Sequence, residues 1–156
     1  YAAQVTSPVR GLSAQEVADL RAGRGMGYAR MAELNSYPGP RHLLDLQKEL
    51  QLSAEQSAAI NAIFVEMEQQ AQSLGQQIIT GEEQLGVAFA TNTLDETTLQ
   101  RQVMQLADLY GQLRMTHLQA HLAVTPLLTS AQITAYNELR GYTSDGEQSP
   151  MHHTHN

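Results

Sequence analysis

The chain has no cysteine and no tryptophan. Without cysteine there are no disulfides or thiolate clusters, and the redox compartment cannot be read from bridges. Aromatic residues make up only 5% of the sequence and charged residues 16%. Positive charge is scarce as well, with 9 Lys and Arg against 16 Asp and Glu and a formal net charge of −7. Nothing in such a chain neutralises a row of phosphates, which excludes nucleic acid as a partner and argues against a surface for anionic lipid. No apolar run approaches the ~20 residues of a membrane span, so no membrane insertion of this segment is expected. Catalytic signatures are missing too: there is no HExxH, no Gly-rich phosphate loop and no plausible nucleophile–base arrangement. The sequence is therefore not expected to be an enzyme.

What is present suits an all-α fold. The 156 residues are enough for one domain, and abundant Ala and Gln with Leu, Ile and Met fit a helical bundle better than a sheet. Three stretches are expected. Residues 1–39 form an N-terminal arm, with a disordered lead-in over 1–11, a short helix after Ser13, and a Gly/Pro-rich loop over 23–41 holding one helical turn near 29–34. Residues 40–142 form a helical hairpin domain, and 143–156 a flexible His-rich tail. The first residue is Tyr1 rather than Met, so a segment upstream is expected, either a cleaved signal peptide or a membrane anchor.

One local device recurs. "LSAQE" (12–16), "LSAEQ" (52–56) and "LTSAQ" (128–132) each place Ser or Thr three residues before Glu or Gln, which is a capping box. The preceding Leu can staple to the residue five places on, as in Leu12–Val17 and Leu128–Ile133. "TLDE" (93–96) reads as a fourth box. Helices are thus expected to start near 13, 53, 93 and 129, with a short one over Pro40–Gln51. Taken locally, the boxes are helix punctuation.

Between these starts the helical periodicity is sustained. Ile60, Phe64, Met67, Ala71, Leu74, Ile78, Gly81, Leu85 and Ala88 recur in steps of four and three. Leu99, Val103, Leu106, Tyr110, Leu113, His117, Ala120, Val124 and Leu127 do the same. Two long antiparallel helices in coiled-coil-like contact follow, joined by the turn "ATNTLD".

Within that seam, "RMTHLQAHL" puts His117 and His121 one helical turn apart. Pairing about Asn92 sets His117 level with Glu68 and His121 level with Phe64. Folding the short helices back brings His42 to the same level and Tyr136 near His121. Imidazoles at i and i+4 share a helix face and can chelate Zn, Ni, Co or Cu, and a facing carboxylate completes a mixed set. The candidate metal ligands are therefore His117, His121, His42 and Glu68, with Glu66 a weaker carboxylate. Met67 adds a soft donor if the ion is copper, although a seam Met is normally core filling. "MHHTH" (151–155) packs His152, His153 and His155 beside Met151, a composition that binds divalent or copper ions loosely.

The pair of Leu-Ser/Thr-x-x-Gln boxes, "LSAEQ" and "LTSAQ", bracketing a long helical hairpin resembles the periplasmic Spy/CpxP family. Zinc-resistance-associated proteins and CnrX-type nickel and cobalt sensors are relatives. The resemblance covers roughly residues 40–142. It implies a periplasmic address and a hooked antiparallel four-helix hairpin, two long helices flanked by two short ones, that pairs as a homodimer with a concave cradle. It also implies one of two activities: holding unfolded client proteins without ATP, or sensing envelope stress and metals for a signalling partner.

Departures from the family pattern are plain. Spy-type chaperones present a basic cradle, and this chain is acidic. Zinc-resistance-associated relatives use cysteine, which is absent here. CnrX-type sensors ligate through His-x-x-x-His on an early helix, a Glu on the next, and His-x-x-x-Met later. His42 falls at the early position, but Leu46 stands where the second His would be. Glu68 or Glu66 matches the Glu, His117 the later His, and His121 occupies the Met position. The leading expectation is a periplasmic metal-binding or metal-sensing protein. The alternatives are a holdase or a structural docking partner of an envelope-stress signalling protein.

Overall fold

The computed structural model describes residues 1–143, and within them every regular element is helical. Six α-helices occur: α1 (Ala14–Ala22), α2 (Arg30–Leu34), α3 (Pro40–Asp45), α4 (Ala54–Ala90), α5 (Glu96–Val124) and α6 (Ser130–Leu139). At ~1.5 Å per residue, α4 and α5 run about 55 and 45 Å, and they pack against each other as an antiparallel hairpin. The all-α hairpin read from the sequence is therefore the fold.

Three of the expected boxes form as read. Ser13, Ser53 and Thr129 each accept from the third backbone N–H of the helix, while Glu16, Gln56 and Gln132 reach back to the cap N–H. The fourth does not. Asp95, not Thr93, caps α5, taking the Thr98 N–H at 2.7 Å. The Thr93 hydroxyl is occupied with Thr91 and the Ala88 carbonyl, closing α4.

Helix ends share a second device that the sequence reading did not use. At Gly23, Gln51, Asn92 and Gly141 the chain turns left-handed. The next N–H in each case reaches back five residues, as from Arg24 to Asp19 and from Leu52 to Gln47. These are Schellman closures, which satisfy the last carbonyls of a helix. The one at Gln51 ends the segment expected to be helical over Pro40–Gln51. Regular helix stops at Asp45 and a run of turns carries the chain to the closure, so that Leu43 and Leu50 both reach the core.

The seam is nearly as the periodicity set it. All nine α4 positions are buried or half-buried, and in α5 only Val103 is exposed. Val103 lies near the hairpin tip with Val87, Phe89 and Met104, all exposed, where only two helices are present to cover one another.

Two apolar clusters form. One joins Val9, Leu12, Val17 and Leu20 of the arm to Ala71, Ile78, Ile79 and Leu113 of the hairpin. The other joins Leu43 and Leu50 to Ile60, Val124 and Tyr136 at the open end. The lead-in expected to be disordered contributes Val9, only 3% exposed, and the Ser7 hydroxyl donates to the Leu12 carbonyl. Burying Val9 and Leu12 is worth about 1.5–3 kcal/mol each, enough to offset the entropy of ordering a short stretch. Close approach of α1 depends on Gly75, where a Cβ would fall on the Leu20 carbonyl.

Candidate metal centre

Between the two clusters lies a cavity of about 630 Å3. Both hairpin helices line it, through Phe64, Met67 and Glu68 of α4 and His117 and His121 of α5. The arm closes it from outside. Gly23 caps α1 against the Glu68 carbonyl and Ala71, and from there residues 24–39 cross over the α5 histidines. His42 lines it from α3, and Arg140 and Tyr142 from just beyond α6. The convergence of His42, Glu68, Met67, His117 and His121 expected from the register is therefore present at the level of one cavity.

They do not form one coordination sphere. Among the described residues no group of three or more His, Cys, Asp or Glu is placed to hold an ion. His42 is partly exposed and its Nδ1 sits 3.8 Å from Asp45 Oδ2 on its own helix. Burial and the nearby Arg140 push its pKa down. Glu66 is exposed and hydrogen-bonds Gln70. His152, His153 and His155 lie outside the described residues.

The α5 pair is better prepared than the set around it. His117 is 3% exposed and His121 8%. His121 Nδ1 lies 2.8 Å from the Tyr37 carbonyl, which can only accept, so Nδ1 carries the proton and Nε2 presents a lone pair. At His117 the buried Nε2 has no hydrogen-bond partner. Burial and the neighbouring His121 hold His117 below the ordinary histidine range, favouring neutral imidazole.

A carboxylate that the sequence reading missed stands beside this pair. Glu33 of α2 accepts from the Tyr136 hydroxyl at 2.8 Å on both oxygens and from the Gly39 N–H at 3.1 Å. A Cβ at Gly39 would lie 2.8 Å from Glu33 Oε1 and 3.1 Å from His121 Nε2, so only a glycine lets these two groups flank the backbone there. Burial and the Glu33 charge push the Tyr136 phenol far up, and it stays a donor. The available signal was Tyr136 itself: a tyrosine expected at the histidine level must find a partner for its hydroxyl.

Below the cavity the two serine/threonine boxes meet. Gln56 Nε2 donates to Gln132 Oε1 at 2.8 Å, and Gln132 Nε2 returns a bond to Gln56 Oε1 at 3.1 Å. Each amide also reaches a carbonyl that the neighbouring turn leaves open, Gln56 to Leu127 and Gln132 to Leu50. The boxes are thus more than punctuation: they clasp the start of α4 to the start of α6. A sequence model of the family described as "LTXXQ motif family protein" matches residues 40–140. The chain belongs to the LTXXQ motif family, whose motif is that of the Spy/CpxP-like proteins. Neither a curated protein nor a solved structure matches it. In this LTXXQ protein the match includes His42, Glu68, His117 and His121 but begins after Arg24, Glu33 and Tyr37. The carbonyl that orients His121 thus comes from outside the family-matched region.

Proposed function

We propose that this LTXXQ protein is a periplasmic metal-binding and metal-sensing protein that takes a first-row transition-metal ion on Nε2 of His117 and His121. One observation carries the reading. His121 is fixed through Nδ1 by the Tyr37 carbonyl of the arm, and one helical turn away the buried Nε2 of His117 has no hydrogen-bond partner, so the two Nε2 atoms stand available on one helix face. Metal-ligating histidines are ordinarily oriented in this way by their second nitrogen. Neutral imidazole suits Zn, Ni, Co or Cu, and His42, Glu68, Met67 and Glu33 line the same cavity as further donors. The periplasmic address is supported by the family, whose members are typically periplasmic. Among the described residues no helix is long and apolar enough to cross a membrane. A homodimer read by a signalling partner is the corresponding assembly.

The test is thermal unfolding of the chelator-stripped full chain with and without each ion. At a free ion concentration a hundredfold above Kd, binding adds about 2.7 kcal/mol, which for a chain of this length raises Tm by about 5–10 °C. His121→Gln abolishes the rise. If the wild-type chain gains nothing from any of the four ions, the metal reading fails. The apolar hairpin tip formed by Val87, Phe89, Val103 and Met104 supports the holdase as second reading, measured by suppression of client aggregation with metal-free protein.

A further inference from the structure

The cavity is far larger than an ion requires. With metal–nitrogen bonds of about 2.1 Å, an ion and its donor atoms define a sphere of about 40 Å3, against a cavity of about 630 Å3. Pockets that take small organic molecules run from about 300 to 1,000 Å3. We infer that the ion enters this cavity as a complex with a small carboxylate-bearing chelator, held at the metal by His117 and His121 and at the carboxylates by the arginines of the mouth. This rests on the metal reading and names the form in which the ion is taken.

Open coordination positions are the first support. Among the described residues no group of three His, Cys, Asp or Glu can hold an ion, so the α5 pair has no third such ligand. Two imidazoles leave at least two positions open on a four- to six-coordinate ion. His117 lines the cavity, is 3% exposed, and its Nε2 has no hydrogen-bond partner, so a buried polar atom there calls for a ligand. An ion on that atom, with the chelator's oxygens on its other positions, completes both.

Charge is the second. Four of the nine basic residues in this acidic chain, Arg24, Arg30, Arg41 and Arg140, line this one cavity. Against them stand Glu33, Asp45 and Glu68, so four positive charges less three negative leave the lining at +1 in a chain of −7. Glu33 is engaged by the Tyr136 hydroxyl and the Gly39 N–H, and Asp45 lies beside His42. Among the described residues only Arg24 of the four arginines is in an ion pair, with Asp19. A bare divalent ion meets a lining of its own sign. The same ion carried by a tricarboxylate arrives as an anion and is attracted.

Placement is the third. The arginines come from four separate segments, just after α1, in α2, in α3 and just after α6, and all four are exposed, whereas both imidazoles are buried. A ligand with its metal at one end and a free carboxylate at the other matches a polar floor beneath a cationic mouth. The planar guanidinium fork pairs with a carboxylate through two parallel hydrogen bonds.

Equilibrium dialysis of the chelator-stripped full chain against radiolabelled citrate, with and without Zn, Ni, Co or Cu salts, tests this. The expected result is one citrate and one ion retained per chain, with citrate retained only when an ion is present. Arg41→Gln combined with Arg140→Gln weakens citrate retention about tenfold or more. It holds the ion alone at least as tightly as wild type does, which also shows that the variant is folded. His117→Gln combined with His121→Gln loses both. Ethylenediamine complexes of the same ions, which carry no carboxylate, are not retained. If citrate strips the ion from the protein and is not itself retained, the inference is overturned while the metal reading stands. Undiminished citrate retention in the arginine variant, or retention of the ethylenediamine complexes, overturns it likewise. Citrate held equally well without an ion marks a plain anion site and overturns the inference; if no ion is retained either, the metal reading falls with it. Retention of neither citrate nor ion overturns both.

Discussion

Replacing Gln56 by Ala removes far more than a helix cap. The side chain accepts the Ser53 N–H, donates to the Leu127 carbonyl, and makes two bonds with Gln132. The first lies in an exposed turn where water replaces it. The other three are partly buried, at about 1 kcal/mol each, so Gln56→Ala costs about 3 kcal/mol. Gln132→Ala loses the same two reciprocal bonds, the Thr129 cap bond and a longer bond to Leu50, for about 2–3 kcal/mol. Because the reciprocal pair is counted in both, the double variant falls short of additivity by about 2 kcal/mol. Glu16→Ala is the control, since its box touches no second box; it costs at most about 1 kcal/mol. Urea unfolding of metal-free protein, followed by helical circular dichroism, measures all four. In heat the Gln56 variant melts about 6–12 °C lower. Additivity within about 0.5 kcal/mol, or a Gln56 cost no larger than that of Glu16, would refute the clasp.

Two further outcomes follow from other parts of the fold. Gly75→Ala pushes a methyl onto the Leu20 backbone, so it costs about 2–3 kcal/mol and opens the arm to trypsin at Arg21 and Arg24; Gly86→Ala, with nothing within 4 Å, gains about 0.5–1 kcal/mol instead. If both variants stabilise, α1 does not dock as described. The metal-free protein should also lose stability in mild acid through His117, whose pKa burial lowers. Above about pH 6.5 both folded and unfolded imidazole are neutral and nothing changes. Below it the unfolded chain binds a proton that the native one refuses, and stability falls by up to about 1.4 kcal/mol per pH unit until the native group titrates. Urea titrations between pH 8 and 5 should show this slope shrinking in His117→Gln, and an unchanged slope would assign it to other groups.

The parts legible in the sequence were those governed by period and by local capping. The α4 seam from Ile60 to Ala88 could be written down because a 3.6-residue repeat decides which face is buried, whatever the partner. Register followed from the turn at Asn92, which carried Glu68, His117 and His121 to one cavity, and folding the first short helix back added His42. Four things escaped for different reasons. Val9 sits in a stretch with no period, and only its tertiary cluster with α1 and the hairpin gives it a place. The close of the turns after α3 depends on Gln51 in left-handed conformation, which no propensity singles out. Glu33 escaped because its position depends on an irregular path from Arg24 to Gly39, and the reciprocal pairing of Gln56 with Gln132 because a capping box is a local motif that says nothing of its neighbours.

The cavity's place in the fold explains how an ion there would be felt at a distance. The arm enters through α1, fixed in one apolar cluster, and leaves through α3, fixed in the other. Between these anchors, residues 24–39 are held over α5 and α6 by polar contacts: the Tyr37 carbonyl on His121, and Glu33 on Tyr136. On the proposed reading an ion on Nε2 would leave the His121 Nδ1–H bond in place. Coordination would draw electron density from the ring and make that Nδ1–H a stronger donor, tightening a bond that holds the arm down. Acid works oppositely, since protonating a buried imidazole costs desolvation without adding a ligand. An ion bound there would therefore stabilise the closed arm by its preference for that state over the open one, and only by that difference. A partner that reads the surface of α2, where Met31 and Leu34 stand exposed, would then distinguish loaded from empty protein without touching the site.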